Sequence, residues 1–262
     1  MSQVIVEDLD KENIDDVFKV CSYGRLDDPL QRRGIEIKRR WLLGMLEEFG
    51  PCTKIAYLDG RPVAQLLFYT EEATPFIANP RRDVVVLHCV FNPFPEARGK
   101  GAGAALIHSL VDQCRRGPPF LHGRPCRFII AKPFQSGEGV SLAKFYSSNG
   151  FKEGQREMFL EITAPYEPRE TPEYQPLPED RGRAVIFTDA LCEWSYRFAA
   201  QVEGFLREID ASLPVETIDR WLRPEEALKR GDEWLVVNAK PIKSFWTQSE
   251  EFRREVEQAL SG

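Results

Sequence analysis

A β-branched run, joined to an amphipathic run by a glycine-rich turn, constrains this chain more than any other feature. The first run is Val84-Val85-Val86-Leu87-His88-Cys89-Val90-Phe91. Its length and composition fit a buried strand. The turn is Arg98-Gly99-Lys100-Gly101-Ala102-Gly103. From Ala104 to Cys114 apolar residues return at helical spacing, with Leu106, Ile107, Leu110 and Val111 among them. Glycines let backbone N–H groups approach an anion, and a helix N-terminus adds about half a positive charge. Together they suit a diphosphate. The residue order is neither the G-x-x-x-x-G-K-[ST] of a nucleoside-triphosphate loop nor the G-x-G-x-x-G of a dinucleotide site.

Composition narrows the function classes. With 42% hydrophobic and 29% charged residues the chain reads as globular, with enough apolar material for a core. A net charge of −6 argues against a nucleic-acid binder, which needs a basic surface. No stretch approaches the ~20 apolar residues of a membrane span. The start, Met1-Ser2-Gln3-Val4-Ile5-Val6-Glu7-Asp8, reads as a short strand and not as a signal peptide, so a cytoplasmic protein is expected. Cys21, Cys52, Cys89, Cys114, Cys126 and Cys192 are irregularly spaced, and none forms a C-x-x-C pair. Reduced thiols are expected. His122 and Cys126 are four apart, but Pro125 and the surrounding Gly/Pro-rich segment make this a loop leading into a strand, not a metal site.

The periodicity predicts strands at 4–7, 53–58, 62–69, 84–91, 126–131 and 158–162. Helices are predicted at 11–21, 35–49, 104–116 and 140–149. Asp10 is the predicted N-cap of the first helix, and Asp59-Gly60 is a hairpin turn. Trp41, Leu42 and Met45 form the apolar side of the second helix. Its arginines, Arg32-Arg33 and Arg39-Arg40, read as a solvated face. Residues 164–182 carry Pro165, Pro168, Pro172, Pro176 and Pro178 with acidic residues between, the pattern of an extended linker. A second pattern follows: strands at 184–188 and 215–218, a hairpin of 234–237 with 243–246 around Asn238-Ala239-Lys240, and helices at 194–209, 224–229 and 249–260.

The glycine turn resembles the R-x-x-G-x-G/A signature of the GNAT acetyltransferase superfamily. A second signature follows in Ala143-Lys144-Phe145-Tyr146-Ser147-Ser148-Asn149-Gly150-Phe151, similar to that family's late helix with its FY-x-x-x-GF ending. The resemblance covers roughly residues 1–165. It implies a GNAT acyltransferase fold, an α/β architecture with a mixed central sheet and flanking helices, and acetyl-CoA as co-substrate. The implied activity is direct acetyl transfer to the amine of a small molecule or peptide. It also implies that the backbone of Arg98, Gly99, Lys100, Gly101, Ala102, Gly103 and Ala104 binds the pyrophosphate, and that Cys89, Val90 and Phe91 pair with the pantetheine arm. Asn92-Pro93-Phe94-Pro95-Glu96 makes the lead-in to the turn longer than usual in the family. Tyr146 matches the tyrosine that serves as general acid toward the thiolate, with Phe145 as the core residue beside it. The family's usual asparagine is missing; Gly139, Val140 and Ser141 occupy that region. Three residues are candidate bases: His88, whose ordinary pKa suits the task, and Glu71 and Glu72 after the third strand. Cys89 is expected to face opposite to His88.

The second pattern, β-α-β-α-β-β-α, is that of a small thioredoxin-like domain. Cys192-Glu193-Trp194-Ser195 follows its first strand and opens its first helix, where thioredoxin relatives carry C-x-x-C or C-x-x-S and where a helix N-terminus favours thiolate. The whole chain resembles proteins in which a GNAT domain precedes a YoaP-type thioredoxin-like domain. Expected boundaries are 1–164, a linker at 165–182, and 183–262. The usual proline before the third strand is absent from Lys229-Arg230-Gly231-Asp232-Glu233-Trp234, and Ser195 replaces a resolving thiol. The alternative to an acetyltransferase is a CoA- or thiol-binding sensor, or a thiol-redox protein using Cys192. If the redox chemistry is lost, packing or formation of a homodimer is the domain's alternative role.

Overall fold

A computed structural model describes residues 3–133, 141–170 and 172–261. It divides into two compact units, Met1–Leu26 with Arg39–Arg169 and Asp27–Lys38 with Glu170–Gly262.

The first unit is built on a seven-stranded sheet. Its strands are β1 (Val4–Asp8), β2 (Thr53–Leu58), β3 (Arg61–Thr70), β4 (Val84–Phe91), β5 (Phe128–Ala131), β6 (Lys152–Glu153) and β7 (Met158–Glu161). The order is β1-β2-β3-β4-β5-β7-β6, and β4 with β5 is the parallel pair. The β2–β3 turn is two residues long, with Asp59 and Gly60 both at positive φ, as the right-handed twist of a tight hairpin favours. Its helices are α1 (Ile14–Cys21), α3 (Ala102–Arg116) and α4 (Leu142–Ser148). The residues on the buried side of α3, Leu106, Ile107, Leu110 and Cys114, join Ala64, Leu66 and Phe68 of β3 and Val85 and Leu87 of β4 in one apolar core. Val84, Phe128 and Ile130 form a second cluster.

Helix α2 (Pro29–Glu48) is divided between the units at Lys38 and Arg39. It starts six residues before the predicted 35. Asp28 is the cause: its Oδ1 accepts hydrogen bonds from the N–H groups of Leu30 and Gln31, and Pro29 opens the first turn. Leu42 and Met45 are buried as expected. Arg32, Arg33 and Arg40 are exposed, as predicted for a solvated face, and Arg39 is half-buried. Arg39 pairs with Asp15 and lies 4.8 Å over the Phe18 ring, and Arg33 lies 5.6 Å over Tyr196.

The second unit holds a four-stranded sheet of β8 (Ala184–Thr188), β9 (Val215–Asp219), β10 (Leu235–Val237) and β11 (Lys240–Pro241) in the order β11-β10-β8-β9. β8 and β9 are parallel; β10 runs antiparallel to β8, and β11 to β10. Its helices are α5 (Ser195–Ile209), α6 (Pro224–Leu228) and α7 (Ser249–Leu260). The hairpin departs from prediction: its second strand is 240–241, not 243–246. Asn238 and Ala239 both take positive φ, so the chain reverses in two residues and Val237 pairs with Lys240. The proline-rich stretch has no strand or α-helix among its described residues, yet it is fastened. Tyr174 donates to Asp180, and Asp180 accepts from Arg230 at 2.9 and 2.8 Å with both side chains fully buried. Among the described residues no helix is long and apolar enough to cross a membrane.

Candidate functional site

The glycine turn is shaped by backbone conformations that L-residues rarely adopt. Gly99 and Gly101 have φ of +73° and +83°, and Gly101 is the N-cap of α3. A Cβ built on either meets no atom within 4 Å. Gly103 serves differently: a Cβ there would come 2.9 Å from Cζ of Phe145, so its absence lets α4 close on the start of α3. Helix geometry leaves the N–H groups of Ala102, Gly103 and Ala104 without carbonyls of their own turn. No side chain caps this end, and no acidic residue sits in the first turn. Arg98 and Lys100 are exposed, and neither is paired with a carboxylate among the described residues.

Among the described residues, the end of β4 that leads to this turn pairs with a strand on one edge only. Pairing with β5 stops at Leu87–Ala131, while β4 continues beside β3 through Cys89, Val90 and Phe91. Among the described residues, two strands that start parallel thus part at Leu87. A β-bulge sits at the same point, where Phe68 opposes Leu87 and Leu67 opposes Cys89, leaving His88 as the extra residue. The bulge overturns the expected alternation. Leu87 and Val90 both face the α3 core. His88 and Cys89 are consecutive on the other face: the His88 ring is 6.1 Å from that of Tyr69, and Gln65 Nε2 donates to Cys89 Sγ at 3.3 Å. Gln65 and Tyr69 share a face of β3 because side chains repeat every two residues.

Tyr146 is 1% exposed, and Phe145 is the less buried of the two, the reverse of expectation. The Tyr146 ring lies 5.5 Å from Phe151 and 5.8 Å from Phe145. Burial pushes its phenol pKa up, and the nearby Cys89 adds to the rise. The hydroxyl therefore keeps its proton at neutral pH. Gly139 and Val140 lie outside the described residues.

Glu71 and Glu72 are not at this end of the strand. Thr70 pairs with Val85, so both glutamates lie about five residues, roughly 17 Å, from Val90. Glu71 is 1% exposed and held by Arg81, through Nε and its second terminal nitrogen at 2.8 and 3.0 Å, and by Arg169 at 3.2 Å. Glu72 accepts from the N–H of Asp83. The register of the β3–β4 pair places both glutamates at the other end of β4 from Cys89–Phe91, while His88 lies at the bulge.

In the second unit Cys192 precedes α5, which starts at Ser195, one residue later than predicted. The N–H of Cys192 donates to the carbonyl of Asp189, and that of Ser195 to the carbonyl of Cys192. The Ser195 hydroxyl accepts from the N–H of Asp189 at 3.3 Å. Cys192 is half-buried. Its neighbour Glu193 forms a buried ion pair with Lys38 at 2.9 Å, and a Cβ on Gly34 would meet the Glu193 carbonyl oxygen at 2.1 Å. Sequence reasoning missed this contact, which joins residues 155 positions apart.

No protein-family model and no curated protein matches the sequence. Among solved structures the chain is similar to a GNAT family acetyltransferase from Brucella melitensis in complex with acetyl-CoA, at 16% identity and TM-score 0.41, over 64% of this chain and 92% of that one. It is similar to an N-acetyltransferase from Staphylococcus aureus Mu50 at 13% identity and TM-score 0.45, over 62% and 99%. It is also similar to the ribosomal-protein-S18-alanine N-acetyltransferase from Escherichia coli at 14% identity and TM-score 0.41, over 64% and 99%.

Proposed function

We propose that the chain is an acetyl-CoA-dependent N-acetyltransferase whose first unit is a GNAT domain. One observation carries the reading: an uncapped, glycine-formed helix N-terminus follows, across residues 92–101, a strand that parts from its parallel neighbour at a bulge. The N–H groups of 102–104 take the pyrophosphate, with Arg98 and Lys100 adding charge. The open edge of Cys89–Phe91 pairs with the amides of the pantetheine arm, which sets the thioester near the bulge.

His88 removes a proton from the acceptor ammonium. The freed nitrogen lone pair attacks the thioester carbon, the nitrogen gives up its second proton to solvent, and the carbon–sulfur bond breaks with its electron pair leaving on sulfur; His88 passes the first proton to solvent. Tyr146 donates its proton to that thiolate and recovers one from solvent. The sum is an N-acetyl amine, CoA thiol and one released proton. The apolar surroundings of Tyr146 penalise a thiolate as they penalise a phenolate, so donor and acceptor pKa values rise together. Acetyl-CoA should raise the melting temperature; at a hundred times Kd the stabilisation is about 2.7 kcal/mol.

The strand order and directions of the second unit favour a thioredoxin-like domain of the YoaP type, with Cys192 at the usual place of a redox cysteine. The start of α5 should lower its thiol pKa below the ~8.5 of free cysteine. Without a second cysteine beside it, only mixed disulfides with small thiols are open to it. The check is the pH dependence of alkylation, with Cys192→Ser as the blank. An inflection at or above that of a free thiol would assign the domain a packing role.

A further inference from the structure

We propose that Gln65 of β3 seats the acceptor nitrogen and selects a primary amine. This rests on the acetyltransferase reading above. Gln65 is fully buried, as are its neighbours Ala64, Leu66 and Leu67, and it is the one polar residue from Val63 to Phe68. Its Nε2 donates to Cys89 Sγ, and its Oε1 is buried with no hydrogen-bond partner among the described residues. A second buried oxygen on this face is unmatched in the same way. Thr53 of β2 is fully buried, and its Oγ1 has no such partner. Thr53 lies across from Leu67 on one side, and Cys89 lies across from it on the other. Residues directly opposite share a face, and so do residues two apart in a strand, so Gln65, Thr53 and Cys89 point to one side of the sheet. An unmatched buried oxygen costs stability that an apolar side chain of the same shape would not. Two of them near the bulge, on the face of His88, serve a donor that binds there.

The proposed reaction supplies one such donor. The acetyl group carries no N–H or O–H, and the pantetheine amides are assigned to the edge of Cys89–Phe91. The N–H groups that remain are those of the acceptor. A primary ammonium has three hydrogens: one goes to His88, one to solvent, and one stays in the amide product. Gln65 Oε1 accepts from the N–H that stays, which holds the nitrogen with its lone pair toward the thioester carbon. A secondary ammonium has two hydrogens and loses both, so it keeps nothing to donate to Gln65. The amide is free to make this bond. Cys89 sulfur is a weak acceptor and the terminal amide torsion is broad, so a charged donor at the bulge draws the oxygen to it by a turn about that torsion.

The test uses the full chain with acetyl-CoA and two probes, n-butylamine and N-methylbutylamine, followed by thiol release. Wild type should favour n-butylamine in kcat/KM by about tenfold or more, the worth of a hydrogen bond to a charged donor. Gln65→Met should lower kcat/KM for n-butylamine about tenfold and bring the two amines close to parity, with the melting shift caused by acetyl-CoA unchanged. It should also unfold in urea at no lower a midpoint than wild type, because it removes an unmatched buried oxygen. A glutamine kept for structure alone would give the reverse, a lower midpoint with the preference intact. Gln65→Glu keeps an oxygen acceptor whether or not it is ionised, and should keep the preference. The wild-type comparison needs no variant to fold. Equal use of the two amines by wild type, the preference intact in Gln65→Met, its loss in a folded Gln65→Glu, or thiol release from neither amine while acetyl-CoA still shifts melting would overturn the assignment to Gln65. Absence of any acetyl-CoA shift would overturn the acetyltransferase reading, and this assignment with it.

Discussion

Arg230→Ala should destabilise the second unit by about 3–5 kcal/mol, the cost of leaving one partner of a buried ion pair uncompensated. Arg230 and Asp180 are both fully buried and joined by two hydrogen bonds. Asp180 also accepts from Tyr174 and Arg183, so it ties the proline-rich stretch to the loop before β10. Domains are stable by only about 5–15 kcal/mol, so a loss of this size takes about a fifth or more of the total. Urea unfolding of the variant should show a transition at markedly lower denaturant. The same pair sets an acid limit. Burial alone would raise the Asp180 pKa, but hydrogen bonds from Arg230, Arg183 and Tyr174 outweigh it and hold the carboxyl below its ordinary value. A carboxylate depressed in the folded state adds stability that is complete above the unfolded pKa, near 3.9, and is lost as pH falls through the folded value. Glu226, held at about 2 by Lys229 and Arg230, acts in the same direction. Stability of the unit should therefore decline below about pH 4, and less steeply in Arg230→Ala. An Arg230→Ala protein with an unshifted urea midpoint would contradict this account of the pair.

Tyr146→Phe should lower kcat about a hundredfold or more with little change in the KM for acetyl-CoA, as expected when a proton donor to the leaving group is removed. The ring stays in its apolar setting, so stability should hold. The raised phenol pKa adds a second signature: Tyr146 remains protonated through the alkaline range, so its ionisation should not lower kcat between about pH 7 and 10. A Phe variant of near-normal rate on the best amine would make Tyr146 a core residue only.

The parts of this site that depend on local chemistry were legible in the sequence. Gly99 and Gly101 sit where only glycine is comfortable, and the run from Val84 to Phe91 could hardly be anything but a strand. Those facts involve neighbours in the chain. The rest depends on register between distant segments. One extra residue at His88 turned Cys89 to the same face as its neighbour, and nothing in the strand's own composition marks a bulge. The pairing of Thr70 with Val85 carried Glu71 and Glu72 to the far end of the sheet from the glycine turn, although in sequence they looked well placed beside the acceptor. Lys38, in a helix that read as a solvated charged face, is buried because Glu193 waits for it. One missed signal was local: Asp28-Pro29 is an N-cap followed by a first-turn proline, and it would have placed the start of α2 correctly.

The central claim is that the glycine turn before α3 binds the diphosphate of acetyl-CoA, and ligand-induced melting shifts of wild type and Gly101→Val test it most directly. The variant is itself strained by a β-branched residue at a φ of +83°, so the quantity to compare is the shift caused by ligand and not the melting temperature alone. A Cβ at Gly101 meets no protein atom within 4 Å, so the protein itself leaves room there and the competition expected of a valine is with the proposed phosphate. The account predicts a clear rise with acetyl-CoA in the wild type and none in Gly101→Val. An equal rise in both proteins, or none in the wild type, would contradict it.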